Sequence, residues 1–274
     1  KGIGKASKIL IPLLFIIMGI IIVYAFTLPG ASIGIDTLIY PKWEMLWDVN
    51  IWLAAFGQII FSLSVGETLA LTYASYLPEN SKLVDNVIFV VFSNSAFEVC
   101  TAFGVYAILG YMSFTSGTPM IQLITEGTGL IFVVFPRIFN VMGPMGHILA
   151  PLLFLSILFA GITSALGFLE PILSSLSSKF NIPRKRVATY LTVIGCIGSL
   201  MLTTGIGSYL VGIIDSFVNE FGILLLIGIQ CIIFGWIYGL DYLVPILNEN
   251  ATFKVGKVWM GIIKYVLPIF LILI

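Results

Sequence analysis

Long apolar stretches alternate with short polar ones along this chain. They cover residues 9–28, 51–76, 86–112, 146–177, 187–203 and 209–240, and a further one opens near residue 256. A helix needs about 20 predominantly apolar residues to cross a hydrocarbon core about 30 Å thick. The stretches approach or exceed that length, so the pattern predicts an all-α, polytopic membrane protein of about seven membrane helices. The same pattern excludes a membrane barrel, whose strands alternate over about ten residues, whereas these runs are continuous.

The segments between the runs read as connections. Residues 29–50 open on Pro29 and Gly30 and carry Pro41, Trp43 and Trp47, the composition of a loop at the membrane–water boundary. Residues 78–85 read as a short polar turn and 179–186 as a basic loop. Residues 113–145 are too polar and too interrupted by Gly and Pro to cross, while 131–141 are apolar enough for a short surface or re-entrant helix. They read as an outer lid. Residues 1–274 are taken together as a single transmembrane domain. The chain opens on Lys1 rather than Met and ends inside the apolar run 265–274, so it is read as a piece of a longer protein.

Composition sharpens the class. Hydrophobic residues make up 59% and charged residues 9%, with a mean hydropathy of +1.11, outside the range of soluble domains. Thirteen basic residues balance thirteen acidic ones, so no global field points to nucleic acid. The placement of charge is more informative. With Lys1, Lys5 and Lys8 inside, Lys82, Lys179, Arg184, Lys185, Arg186, Lys254, Lys257 and Lys264 fall on the same side, against Lys42 and Arg137 opposite. The bias predicts a multi-pass plasma-membrane protein with the Lys1 end cytoplasmic.

Catalytic chemistry finds little footing. Cys100, Cys196 and Cys231 lie in apolar runs without paired spacing, and the single His147 makes no zinc site by itself. There is no HExxH or GxxxxGK[ST] motif, and Asp215 with His147 forms no recognisable triad. The chain is read as no enzyme, without cofactor.

The polar residues inside the apolar runs are the candidates for function. The run 51–76 carries Ser62-Leu63-Ser64-Val65-Gly66-Glu67 at its middle, and Gly66 supplies backbone freedom there. Two readings stand: Ser and Gly permit close helix packing, or the helix unwinds. Unwound backbone at membrane depth is tolerated where it lines a wet cavity or is buried in protein, which makes it a site. Asn94 and Glu98 share a face four positions apart, and a carboxylate at that depth needs a partner. Ala160, Thr163, Ser164 and Phe168 form another stripe, whose hydroxyls either ligate a hard cation such as sodium or bond back to their own helix. Glu67 either faces a substrate, pairs with a basic residue outside the chain, or lies in a wet vestibule.

These residues also carry a family likeness. W-x-A-A-x-G-Q-x-x-F-S-L-S-x-G from Trp52 to Gly66, T-Y-A-S-Y from Thr72 to Tyr76, N-S-x-x-E from Asn94 to Glu98 and F-A-G-I-T-S from Phe159 to Ser164, with Glu170-Pro171 behind, occur in order. The chain resembles the neurotransmitter:sodium symporters, whose fold is that of the bacterial leucine transporter. The resemblance spans nearly the whole chain and implies an inverted-repeat fold entered at the family's fifth membrane helix and left in its eleventh. Helices one to four lie outside it, so the piece alone is expected to be inactive.

What the resemblance implies can be placed residue by residue. Ser62 and Asn94 match ligands of a first sodium site; Ala160, Thr163 and Ser164 match the second. Phe61 matches an aromatic gate over the substrate, Ser62, Ser64 and Ser164 fall at the substrate, and Phe168 matches a residue at its apolar end. Asp215 matches the acidic member of an outer gate. Glu98 stands where chloride-independent members resemble this chain in having a carboxylate. Glu67 departs from the family, which has an aromatic or apolar residue there, and implies a polar or cationic substrate group; Glu67→Phe is expected to shift preference toward apolar amino acids. The expected function is sodium-coupled symport of an amino acid or related amine, independent of chloride, with the lipid bilayer as setting and no nucleic-acid partner. An ion channel or a structural membrane subunit are the alternatives.

Overall fold

The computed structural model describes residues 2–78, 80–123 and 129–273. All regular elements among them are helical. Among the described residues, five helices are long and apolar enough to cross a membrane: Gly4–Phe26, Leu83–Ser116, Pro144–Phe180, Arg184–Leu202 and Leu224–Asn248. The run 51–76 is not among them because it divides into Val49–Ser62 and Leu69–Ala74. The last run follows as Lys257–Gly261, a wide π-type turn Ile262–Val266, and Leu267–Leu273.

Several elements outrun their apolar stretches. Leu83–Ser116 has 34 residues, about 51 Å at 1.5 Å per residue, more than a hydrocarbon core needs. Gly207–Ser216, the π-type turn Phe217–Ile223 and Leu224–Ile232 follow without a gap. A second π-type turn, Ile233–Gly239, leads into Leu240–Asn248. Gly239, at φ +90°, breaks the helical backbone there, a conformation that favours glycine.

The chain divides into two compact units. The first comprises residues 1–43 and 95–166. Its core sets Ile17, Ile21 and Ala25 with Ala107, Ile108, Leu109, Ile138 and Leu153, all buried. Residues 29–40 are not the plain loop that Pro29 and Gly30 predict, since Ala31–Ile39 coils into a helix. The physical reason is close contact between small residues: Gly34 lies so near the Tyr106 carbonyl that no Cβ would fit, and Ile22 crowds Gly104 in the same way. In the segment read as a lid, Met120–Leu123, Leu130–Val134 and Phe135–Val141 are helical, with Val134, Phe135, Ile138 and Phe139 buried in this core. Residues 124–128 of that segment lie outside the described residues.

The second unit comprises residues 44–94 and 167–274. Ile60, Ile223, Ile227 and Cys231 form its buried cluster, and Phe56 stacks on Phe270 at 4.0 Å between ring centroids. Trp43–Trp47 is a short 3-10 turn, after which the Asp48 carboxylate accepts the Asn50 backbone N–H at 3.0 Å and opens Val49–Ser62. The broken helix is thus anchored at its start by a cap and at its end by apolar packing.

Candidate functional site

Helix Val49–Ser62 loosens over its last turn. The Val65 N–H reaches back five residues to the Ile60 carbonyl at 3.0 Å, and Ser64 N–H bonds to the Phe61 carbonyl. Ser64, Gly66 and Thr68 then take φ of 51°, 86° and 61° before Leu69–Ala74 resumes. For Ser64 and Thr68 this left-handed backbone is uncommon and costs about 1 kcal/mol or more each, a strain that clusters at functional sites. Gly66 accepts it freely, and Ile227 stands 2.8 Å from where a Cβ would be. Substitution at Gly66 is therefore doubly blocked, by backbone and by space.

Beside this break the Asn94 amide donates to the Ser62 hydroxyl at 2.5 Å, across helices 32 residues apart in sequence. Both residues are half-buried. Because the amide nitrogen makes the contact, the Asn94 carbonyl oxygen and the remaining Ser62 lone pair stay available to a cation. Ser64 and Glu67 are also half-buried in this unit, while Phe61 and Phe168 are exposed. Asp215 is an exposed residue of Gly207–Ser216.

The other candidates belong to the first unit. Thr163 donates to the Phe159 and Ala160 carbonyls, each at 2.9 Å. The hydroxyl therefore bonds back to its own helix, the second of the two readings of that stripe, and it keeps its lone pairs as acceptors. Ala160 is half-buried and Ser164 exposed. Glu98 is half-buried four positions after Asn94 in the same helix.

Two clusters were not singled out by sequence reasoning. Glu170 is 6% exposed, yet it accepts the Tyr76 hydroxyl at 2.8 Å and the Arg184 guanidinium at 2.5 Å. Tyr76 also lies 3.3 Å from the Ser174 hydroxyl. Glu170 sits well inside a membrane-length run, which was the available signal; its partners on two other elements were not visible. In the second cluster the Asp85 carboxylate accepts the Thr252 and Phe253 backbone N–H groups at 3.0 Å, and Lys82 donates to the Thr252 hydroxyl at 3.0 Å. Asn248 grips the same loop by bonding both backbone groups of Val255. Asp85→Ala is expected to release this loop, because it removes the acceptor of two backbone N–H groups. Faster hydrogen exchange at the 252 and 253 amides checks it.

The long apolar helices and the interrupted one beside an amide–hydroxyl pair define a polytopic helical membrane protein with polar residues at a helix break. The sequence pattern of the Sodium:neurotransmitter symporter family matches residues 1–274, and the chain belongs to that family. Members of the family are transporters rather than enzymes. An uncharacterized sodium-dependent transporter of Methanocaldococcus jannaschii is 37% identical over 271 residues, covering 99% of this chain and 55% of that protein. A sodium-dependent dopamine transporter of Caenorhabditis elegans is 30% identical over 94% of this chain and 43% of its own length. A sodium- and chloride-dependent glycine transporter 2 of Xenopus laevis is 26% identical over 98% and 35% respectively. The chain thus spans about half or less of these relatives.

Proposed function

We propose that the full-length protein is a secondary transporter that couples sodium entry to uptake of an amino acid or related amine. The observation that carries this reading is the Ser62–Asn94 pair at the break of the Val49–Ser62 helix. Two oxygen-bearing side chains beside unwound backbone offer a hard cation side-chain and carbonyl oxygens together. Ala160, Thr163 and Ser164 are proposed for a second sodium site, Phe61, Ser64, Ser164 and Phe168 for the substrate, and Asp215 for the outer gate. The Lys1 end is proposed to be cytoplasmic.

The test is uptake of a labelled amino-acid panel into proteoliposomes holding the full-length protein. Saturable uptake driven by an inward sodium gradient, and abolished when potassium replaces sodium, is the expected result. Conductance without saturable uptake indicates a channel instead. Full activity after removal of Ser62, Asn94 and Thr163 together indicates a structural subunit.

Glu98 is proposed to make transport independent of chloride, because a fixed carboxylate near a sodium site supplies the negative charge that a bound anion otherwise would. Replacing chloride with gluconate is expected to leave uptake unchanged, whereas Glu98→Ser is expected to make it chloride-dependent. Loss of wild-type uptake in gluconate rules this role out.

A further inference from the structure

Across the unwound segment 63–68 the Glu67 N–H reaches the Ser64 carbonyl at 3.4 Å, long for a backbone bond. Ser64 and Thr68 keep left-handed backbone there against their own preference. Such a conformation persists where its surroundings over-determine it. The surroundings come from the chain around helix Leu224–Ile232: Ile223, the last residue of the π-type turn before it, falls four positions from Ile227 and eight from Cys231, along one buried face.

That face meets the broken helix before and within the break. Ile60, in the last turn of Val49–Ser62, belongs to the same buried cluster. At Gly66 a Cβ would stand 2.8 Å from Cγ1 of Ile227 and 3.5 Å from Cγ2 of Ile223, so the bare glycine backbone approaches the isoleucines at a distance no side chain would allow. Leu267 and Leu271 of the last helix pack against this cluster too, and Phe56 stacks on Phe270, which leaves the isoleucines little room to retreat. Helix Leu224–Ile232 thus lies along the break as a splint. The π-type turns Phe217–Ile223 and Ile233–Gly239 flank it at both ends, wide turns of a kind that recurs at functional sites. Because Ser62 closes the helix that runs into the break, the position of segment 63–68 sets where its hydroxyl meets the Asn94 amide.

We propose that Ile227 and Ile223 are positioning residues of the ion site: they fill the space beside Gly66 and fix segment 63–68 where Ser62 faces Asn94. The assignment rests on the symport reading and adds to it residues that act on the ion through Gly66 rather than by touching it. A binding constellation works only while its ligands stay within about 0.5 Å of the productive geometry, so a loosened break weakens ion binding before it undoes the fold. The atom that decides is Cγ1 of Ile227, the one nearest the Gly66 backbone. Valine keeps a carbon there and alanine does not.

The test is sodium titration of uptake by the full-length protein in proteoliposomes, using the labelled amino acid of the panel that the wild type takes up fastest. Ile227→Ala is expected to raise the half-saturating sodium concentration by about tenfold, and Ile227→Val by less. Gly66→Ala, whose new Cβ meets Cγ1 of Ile227, is expected to raise it at least as much. Adding Ile227→Ala to Gly66→Ala should then recover part of that loss, whereas adding Ile227→Val should not. A lower maximal rate at unchanged half-saturating sodium is a folding loss alone and overturns the assignment. Additive losses in the Gly66→Ala and Ile227→Ala pair overturn it as well. Should Ile227→Ala not fold, Ile223→Ala withdraws the longer contact and is expected to raise half-saturating sodium by a smaller factor; no shift there also overturns the assignment. In each of these cases the wild type still accumulates substrate on a sodium gradient, and symport stands. Absence of sodium-driven uptake by the wild type for every member of the panel overturns the symport reading and this assignment with it.

Discussion

Arg184→Ala is expected to destabilise the protein by about 2–3 kcal/mol, the largest stability loss expected from a single side chain outside the apolar core. Breaking a buried ion pair costs about 3–5 kcal/mol because the remaining charge stays buried without compensation. Here the asymmetry decides the discount. The Glu170 side chain is 8% exposed but that of Arg184 is 54% exposed, so part of the attraction is already screened by solvent. Removing Arg184 leaves the Glu170 carboxylate with the Tyr76 hydroxyl as its donor among the described residues. Tyr76→Phe, which removes one hydrogen bond and keeps the ion pair, is expected to cost about 1 kcal/mol. Thermal unfolding of the full-length protein in detergent separates the two, and equal effects from both substitutions would show that the ion pair contributes no more than a neutral hydrogen bond.

Asn94→Ala is expected to reduce apparent sodium affinity by about tenfold or more and to slow uptake at limiting sodium. The substitution removes a carbonyl oxygen proposed as a ligand, and it also frees the Ser62 hydroxyl that the Asn94 amide holds at 2.5 Å. Both losses fall on the ion rather than on the substrate's side chain, so the ranking of substrates should persist at saturating sodium. Ser62→Ala removes the shared partner, and the double variant is expected to be little worse than the worse single one, as for residues that act as a unit. Sodium titration of uptake checks this; additive effects would separate the pair into independent contributors.

The membrane class was legible because hydrocarbon imposes length and apolarity on any crossing helix, whatever its neighbours. Leu83–Ser116, Pro144–Phe180 and Arg184–Leu202 accordingly contain the apolar runs 86–112 and 146–177 and nearly all of 187–203. Their polar extensions were not legible, since a helix that has passed the membrane boundary no longer needs apolar residues to continue. Ala31–Ile39 was missed for a different reason: Pro29 and Gly30 punctuate the chain locally, and the helix is held by the fit of Gly34 against Tyr106, a contact 72 positions away in the numbering.

At the candidate site, the sequence by itself determined which polar and small residues fall inside the apolar runs: Ser62, Ser64, Gly66 and Glu67 in one run, Asn94 and Glu98 on one helical face, Thr163 and Ser164 on another. Helical periodicity and the expense of polar groups in hydrocarbon are local properties, readable from the chain alone. Tertiary structure alone decided the pairings. It joined Asn94 to Ser62, Glu170 to Tyr76 and Arg184, and Asp85 to the backbone of Thr252, and it left one oxygen of Glu67 buried without a donor among the described residues. A buried polar group must find its partner in space, and which partner it finds depends on how distant helices pack.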